Sequence, residues 1–319
     1  MLNEFILLEY FTTQSNVNFK EKKSIFKEAI KLSNKLALNF SKNNKISKVH
    51  LLRNRSLQTP NNRKIIKYGI CEKEPLEKIL DKFRFGTYVL LISPETEFKN
   101  LRLYKSLEKK FILLNSSLKN IEIFSSKLKT NKALKKKNIN TIEIEKELKS
   151  NTQYVSKPEF GAGSTDIIIF TKNDKIKKTK KTIIQKYYDG KKGSFSMICD
   201  GESFQIISCN EQLLKFEDNQ VYQIGLIMGG LESYRDQINE LGKKICKYFP
   251  NLFGYIGVDI VQSKDDWKVI EINPRFTSSY IGLERAYGKE IINKITEFYI
   301  HKKFNKKICT LQKKVKVFF

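Results

Sequence analysis

Residues 257–275 read Gly-Val-Asp-Ile-Val-Gln-Ser-Lys-Asp-Asp-Trp-Lys-Val-Ile-Glu-Ile-Asn-Pro-Arg. Apolar and polar residues alternate through 255–262 and again through 267–273, the period of a half-buried strand. The polar segment 263–266 has turn composition, so the stretch predicts an antiparallel hairpin. Folding the strands about Asp265 sets Asp259 opposite Glu271, with Asn273 two residues further along the same face. Two carboxylates that face each other with Cβ atoms roughly 5 Å apart repel. A bound cation reverses that sign. Oxygen ligands of this kind suit Mg²⁺, which takes one or two carboxylates and completes its shell with water and phosphate. Arg275, after the turn-prone Pro274, adds a permanently charged fork for phosphate. On these residues alone, a solvated polar face on an ordinary hairpin remains open.

Three segments upstream carry further signals. Val155-Ser156-Lys157-Pro158-Glu159-Phe160-Gly161-Ala162-Gly163-Ser164 reads as a strand and then a glycine-containing loop. Glycines let backbone N–H groups turn towards an anion, and Lys157 supplies a point charge. A plain hairpin turn has the same composition. Ser126-Lys127-Leu128-Lys129-Thr130 opens a segment whose Lys127 is, by itself, an unremarkable basic residue. Thr182-Ile183-Ile184-Gln185-Lys186-Tyr187-Tyr188-Asp189-Gly190 ends a strand at a glycine turn, and a strand from Phe204 leads to Asn210-Glu211-Gln212. That triplet either faces phosphate or is a polar strand end.

In chain order the segments resemble the ATP-grasp superfamily of ligases. Gly-x-Asp, Glu-Ile-Asn-Pro-Arg and Thr277-Ser278-Ser279-Tyr280-Ile281-Gly282-Leu283 are similar to its metal-binding end. The resemblance implies ATP, with Mg²⁺ (or Mn²⁺) held by Asp259, Glu271 and Asn273. It makes Arg275 and Lys157 the catalytic cations and puts Lys127 and Lys157 on nucleotide phosphate. The flexible flap then includes Gly161, Gly163 and Ser164, and Gln185, Lys186, Tyr187 and Tyr188 border the adenine. Two positions depart from the pattern: Ser126 stands where Asp is common, and Lys186 where an acid is common. The Asn210-x-Gln212 element and the Asn-Pro-Arg-Phe-Thr-Ser-Ser-Tyr ending most resemble tyramine–glutamate ligases of methanofuran biosynthesis.

Ahead of these segments, apolar residues 5–8 run to Glu9 without a basic leader and read as a strand rather than a signal peptide. A long helix over 20–40 carries Ile25, Phe26, Ala29, Ile30, Leu32, Leu36 and Phe40 on one face. Strands at 49–52, 65–68 and 88–92, with a helix over 75–83, complete a βαβ rhythm and predict a parallel sheet. Glu95 follows a strand end of the type where such sheets bind ligands, and is equally a helix-start acid. Helices are expected over 101–110, 120–126, 231–249 and 291–299, a strand over 111–114, and the tail after Lys302 is too basic to place. The expected organisation is α/β: an N-terminal Rossmann-like pre-ATP-grasp unit over 1–125, a small lobe over 126–184 and a C-terminal lobe over 185–319.

Composition narrows the alternatives. The chain has 319 residues, 40% of them hydrophobic, and a formal charge of +26. Its lysines are spread among abundant Asn and Ile, as an AT-rich coding bias produces. The densest runs, 175–181 and 132–137, lack the interleaved aromatics of a base-stacking surface. Cys71, Cys199, Cys209, Cys246 and Cys309 form no Cys-x-x-Cys pair, and His50 and His301 are isolated. That pattern argues against zinc and disulfides and for a reducing cytoplasm. No apolar run approaches the ~20 residues of a membrane span. The expected partners are a small carboxylate and an amine, with no specific nucleic acid and no membrane, and a homodimer is allowed. The expected activity is ADP-forming amide synthesis through an acyl phosphate. A degenerate nucleotide-binding module and a basic nucleic-acid-binding protein are the alternatives.

Overall fold

A computed structural model describes residues 2–14, 23–94, 97–161, 166–174, 181–264, 266–304 and 310–319. The N-terminal part contains β1 (Glu4–Glu9), α1 (Lys23–Ser41), β2 (Lys48–Asn54), β3 (Ile65–Ile70), α2 (Leu76–Asp81), β4 (Tyr88–Ile92), α3 (Glu97–Glu108) and β5 (Ile112–Leu113). Its five strands are all parallel and lie in the order β3-β2-β1-β4-β5. β1 is buried from Phe5 onwards, as a strand covered on both faces must be. The strand order reverses between β1 and β4, so Glu9 and Ile92 end on either side of the switch point.

Next come α4 (Leu118–Phe124) and α5 (Lys127–Lys136), then β6 (Gln153–Pro158), β7 (Ile168–Thr171) and β8 (Thr182–Lys186). There follow β9 (Lys192–Asp200), β10 (Phe204–Glu217), β11 (Gln220–Met228), α6 (Arg235–Tyr248), β12 (Phe253–Ser263) and β13 (Asp266–Asn273). Last come α7 (Ser279–Tyr287), α8 (Lys289–His301) and β14 (Val315–Phe318). The second sheet runs β13-β12-β9-β10-β11-β7-β6-β8 with antiparallel pairing, and β14 adds to β11. A parallel α/β sheet followed by this curled antiparallel sheet is the expected fold class.

Several elements differ from the sequence expectation. The tail left unplaced after Lys302 forms β14, whose Val315 and Val317 are buried while its lysine neighbours face out. β11 pairs with β10 through a turn at Asp218 and Asn219, both left-handed with φ of 48° and 61°. The Thr277–Leu283 stretch, to which the sequence assigned no element, enters α7 at Ser279.

One core joins the two halves. Phe5 and Phe40 of the first unit meet edge to face at 5.0 Å between ring centroids, and Phe40 meets Tyr299 of α8 at 5.7 Å. Phe276 stacks between Tyr255 at 4.8 Å and Tyr299 at 5.5 Å. A second core lies beneath β9, β12 and β13, with Phe195, Ile256 and Trp267 buried beside Phe124 and Ile245. The shared aromatic core holds the carboxyl ends of β1 and β4 over the β12–β13 hairpin.

At Gly254 the second sheet comes close against Tyr299 of α8. This glycine has φ of +84°, and a Cβ there would lie 2.5 Å from Tyr299 Oη, the atom that accepts the Tyr255 N–H at 2.8 Å. Gly86 has φ of +79° with open space around it. Left-handed backbone costs a side chain about 1–2 kcal/mol in both places. Gly254→Ala should therefore lower the urea midpoint clearly more than Gly86→Ala, because only the former also displaces Tyr299.

Candidate functional site

The β12–β13 hairpin sets the site. Ser263 pairs with Asp266 and Val261 with Lys268, so two residues lie between the paired ends, tighter than a turn centred on Asp265. Continued unbroken, that register would put Ile270 opposite Asp259 and turn Glu271 to the other face. A bulge between Asp259 and Ile260 shifts the pairing by one residue. Asp259 consequently faces Glu271, and Gly257 faces Asn273.

The carboxylates are only partly exposed, which makes their repulsion expensive. Cations and amides from other elements answer it. Lys127, at the start of α5, lies 3.3 Å from Glu271 Oε2 and donates to Gly161 O at 2.8 Å. At an effective dielectric of about 20 such an ion pair attracts by about 5 kcal/mol before desolvation. Gln212 Nε2 of β10 donates to Asp259 Oδ1 at 2.9 Å, and Asn273 Nδ2 donates to Asp259 Oδ2 at 3.1 Å. Lys157 of β6 is buried, at 5% exposure. Burial, with help from nearby Lys127, pushes its ammonium down to about 8, while Glu271 and Asp259 pull the other way. Burial and then Glu271 push Asp259 up to about 7, against Lys157, Asn273 and Arg275. Arg275 Nη1 donates to Phe276 O at 3.2 Å and Nη2 reaches Asn273 Oδ1 at 3.5 Å.

These side chains line a cavity of about 790 Å³ between the two sheets. Lys127, Lys157, Gly161, Gln185, Lys186, Tyr187, Tyr188, Asp259, Glu271, Asn273 and Arg275 all border it. The size lies within the range for small-molecule sites. Among the described residues no three His, Cys, Asp or Glu side chains converge. The oxygen donors here are two carboxylates and an amide, a set that fits Mg²⁺ if water and phosphate complete its shell. Gly163, Ser164 and Glu95 lie outside the described residues, as does most of the 175–181 lysine run.

At the far end, the Lys186 N–H is directed to Glu143 O at 3.4 Å and the Tyr187 N–H to Gln153 O at 2.9 Å. Gln185 is 1% exposed, and its Oε1 has no hydrogen-bond partner among the described residues. Its side chain thus presents an acceptor at a position that the sequence resemblance sets beside the adenine. The 210–212 triplet divides. Gln212 borders the cavity, whereas Asn210 is buried in the sheet, donating to Ser208 Oγ and accepting from Gly229 N. Ser126 caps α5, accepting from Lys129 N at 3.0 Å, the service an Asp would give there. Glu9, Glu28 and Lys192 also border the cavity and carry no local sequence signal.

Residues 124–279 match the ATP-grasp domain family. That segment carries the domain of the ATP-grasp superfamily, and the chain as a whole has an ATP-grasp-like fold. Members of that superfamily are typically ADP-forming ligases. The chain is 28% identical over 198 residues to tyramine–L-glutamate ligase of Methanocaldococcus jannaschii, a match covering 62% of this chain and 58% of that protein. The chain therefore matches less than two thirds of this relative's length. Its fold superposes on an ATP-grasp superfamily protein of Archaeoglobus fulgidus with a TM-score of 0.71 at 22% identity, covering 96% of this chain and 90% of the other. N5-carboxyaminoimidazole synthetase of Staphylococcus aureus, solved with ADP, gives a TM-score of 0.68 at 14% identity over 97% of this chain and 80% of its own. Among the described residues, no helix is long and apolar enough to cross a membrane.

Two substitutions test the site. Lys157→Ala should weaken ATP binding measured by calorimetry by about tenfold or more, whereas Lys244→Ala on the exposed face of α6 should leave it unchanged. Equal effects would indicate diffuse electrostatics rather than a site. Glu271→Gln should lower ATP turnover on the order of 100-fold with the circular dichroism spectrum retained. Unchanged turnover would remove Glu271 from the chemistry.

Proposed function

We propose that this protein is an ATP-dependent carboxylate–amine ligase that releases ADP and phosphate. The observation that carries the proposal is the meeting of Lys127, Lys157 and Arg275 with Asp259, Glu271 and Asn273 around one cavity. Phosphoryl transfer needs positioning and charge neutralisation more than covalent help. In this reading the adenine lies beside Gln185–Tyr188, and the phosphates lie over Lys127, Lys157 and Gly161. Asp259, Glu271 and Asn273 hold Mg²⁺, or Mn²⁺ in its place, and the ion supplies charge neutralisation at the phosphate tail. Gln212 and Asn273 orient Asp259, and Lys157 and Arg275 face the charge that develops as the terminal phosphate moves to the substrate carboxylate. The resulting acyl phosphate is attacked by the amine, and phosphate leaves.

The similarity to tyramine–L-glutamate ligase supports glutamate as the acid, through its side-chain carboxylate, and tyramine as the amine. The cationic cluster independently suits an acidic substrate. We place the lobe boundaries at 1–125, 126–184 and 185–319, and the protein in the cytoplasm, where the free Cys71, Cys199, Cys209 and Cys246 would stay reduced. A degenerate nucleotide module is disfavoured because Ser126 keeps its capping role and the paired carboxylates are intact.

Incubation with ATP, Mg²⁺, glutamate and tyramine should yield ADP, phosphate and γ-glutamyltyramide by mass spectrometry. ADP release with another acid or amine would change the substrates alone. Release of AMP and pyrophosphate would contradict the mechanism.

A further inference from the structure

The cavity has two chemically different ends. Around the hairpin the charged and amide groups that enter it include Lys127, Lys157, Gln212 and Arg275. Beyond Arg275 the cavity extends to the first sheet and meets two carboxylates, Glu9 and Glu28. Phe11, Ile25, Ala29 and Leu32 form apolar wall there. This end lies over the switch point between β1 and β4, the crevice in which open parallel sheets receive ligands. Glu9 ends β1, and Ile92 and Pro94 at the end of β4 border the same space.

The two carboxylates are held differently. Glu9 is 3% exposed, and its oxygens accept from Phe11 N at 3.1 Å and Thr12 N at 2.8 Å, which fixes it in place. Glu28, on α1, accepts from Ser278 Oγ through Oε1, while Oε2 makes no hydrogen bond among the described residues. Ser278 stands three residues after Arg275. The contact therefore ties Glu28 to the segment that carries the phosphate-facing fork. A phosphate or an acid substrate is drawn to the lysine end and repelled by Glu9 and Glu28. An ammonium group has the opposite preference. Burial raises both carboxyls, Glu9 to about 7, and Arg275 opposes the shift in each. A cation arriving there would favour their charged forms.

We infer that this deep end is the amine-substrate site, with Glu28 the direct partner of the ammonium, Glu9 a second fixed charge, and the apolar wall taking a hydrophobic body the size of one aromatic ring. The inference rests on the ligase reading above. It assigns amine specificity to the first unit rather than to the ATP-grasp lobes.

Hydroxylamine separates the two levels, because it traps an acyl phosphate as a hydroxamate without needing a cation site. With ATP, Mg²⁺ and glutamate, wild type should form hydroxamate. Glu28→Gln should keep that rate and the KM values for ATP and glutamate within about twofold while raising KM for tyramine about tenfold or more. Loss of hydroxamate in step with amide, or a rise in KM for glutamate alone, overturns the assignment. If the variant does not fold, wild type answers the question: trimethylated tyramine should compete with tyramine, and 4-ethylphenol should not. Competition with glutamate instead, or no binding of either ammonium compound by protein that forms hydroxamate, overturns it too. Absence of hydroxamate in wild type with glutamate and with every other carboxylic acid supplied overturns the ligase reading itself.

Discussion

Asp259 and Glu271 stand side by side on a partly buried strand face, an arrangement that persists only if positive charge reaches it from elsewhere. The structure supplies that charge from three directions. Lys127 comes from the first turn of α5, Lys157 from β6, and Arg275 from just beyond the hairpin. Each belongs to a different stretch of chain, so the electrostatics of the hairpin couple it to α5 and β6. Lys127 makes the coupling explicit, bridging Glu271 on one side and the Gly161 carbonyl on the other. The same cations that stabilise the carboxylates are the groups a polyphosphate needs. Their arrangement supports the proposed site for an anion that carries its own metal.

The location of this cluster follows from packing. Phe5, Phe40, Phe276 and Tyr299 form a continuous aromatic core between the first sheet and the C-terminal helices. Because that core is common to both, the switch point of the parallel sheet opens into the same cavity as the hairpin. A substrate held by the first unit can thereby meet groups presented by the second without any element crossing between them.

The sequence made much of this legible, for identifiable reasons. Period-2 alternation and the Glu-x-Asn spacing fix which side chains share a face, so the sequence alone groups Asp259, Glu271 and Asn273. The route to that grouping was nonetheless different. The turn is tighter than one about Asp265, and the bulge opposite Ile270 restores the facing pair. A bulge leaves no local composition signal. β14 was hidden because lysines dominate its flanks, although Val315 and Val317 alternate inward. β11 could have been found from Asp218-Asn219, residues that tolerate the left-handed backbone of a tight hairpin. Glu9 and Glu28 could not, since nothing nearby in the chain distinguishes them, and 250 residues separate Glu28 from its partner Ser278. Sites assembled by tertiary packing are silent in one-dimensional patterns.

The central claim is that one cavity binds nucleotide and metal together at the hairpin. A crystal structure with Mg²⁺ and a non-hydrolysable ATP analogue tests it most directly. The account requires the metal between Asp259 and Glu271, the terminal phosphate beside Lys157 and Arg275, and the base against Gln185 and Tyr188. Nucleotide bound elsewhere, or bound in this cavity with its phosphates turned away from the hairpin, would contradict it.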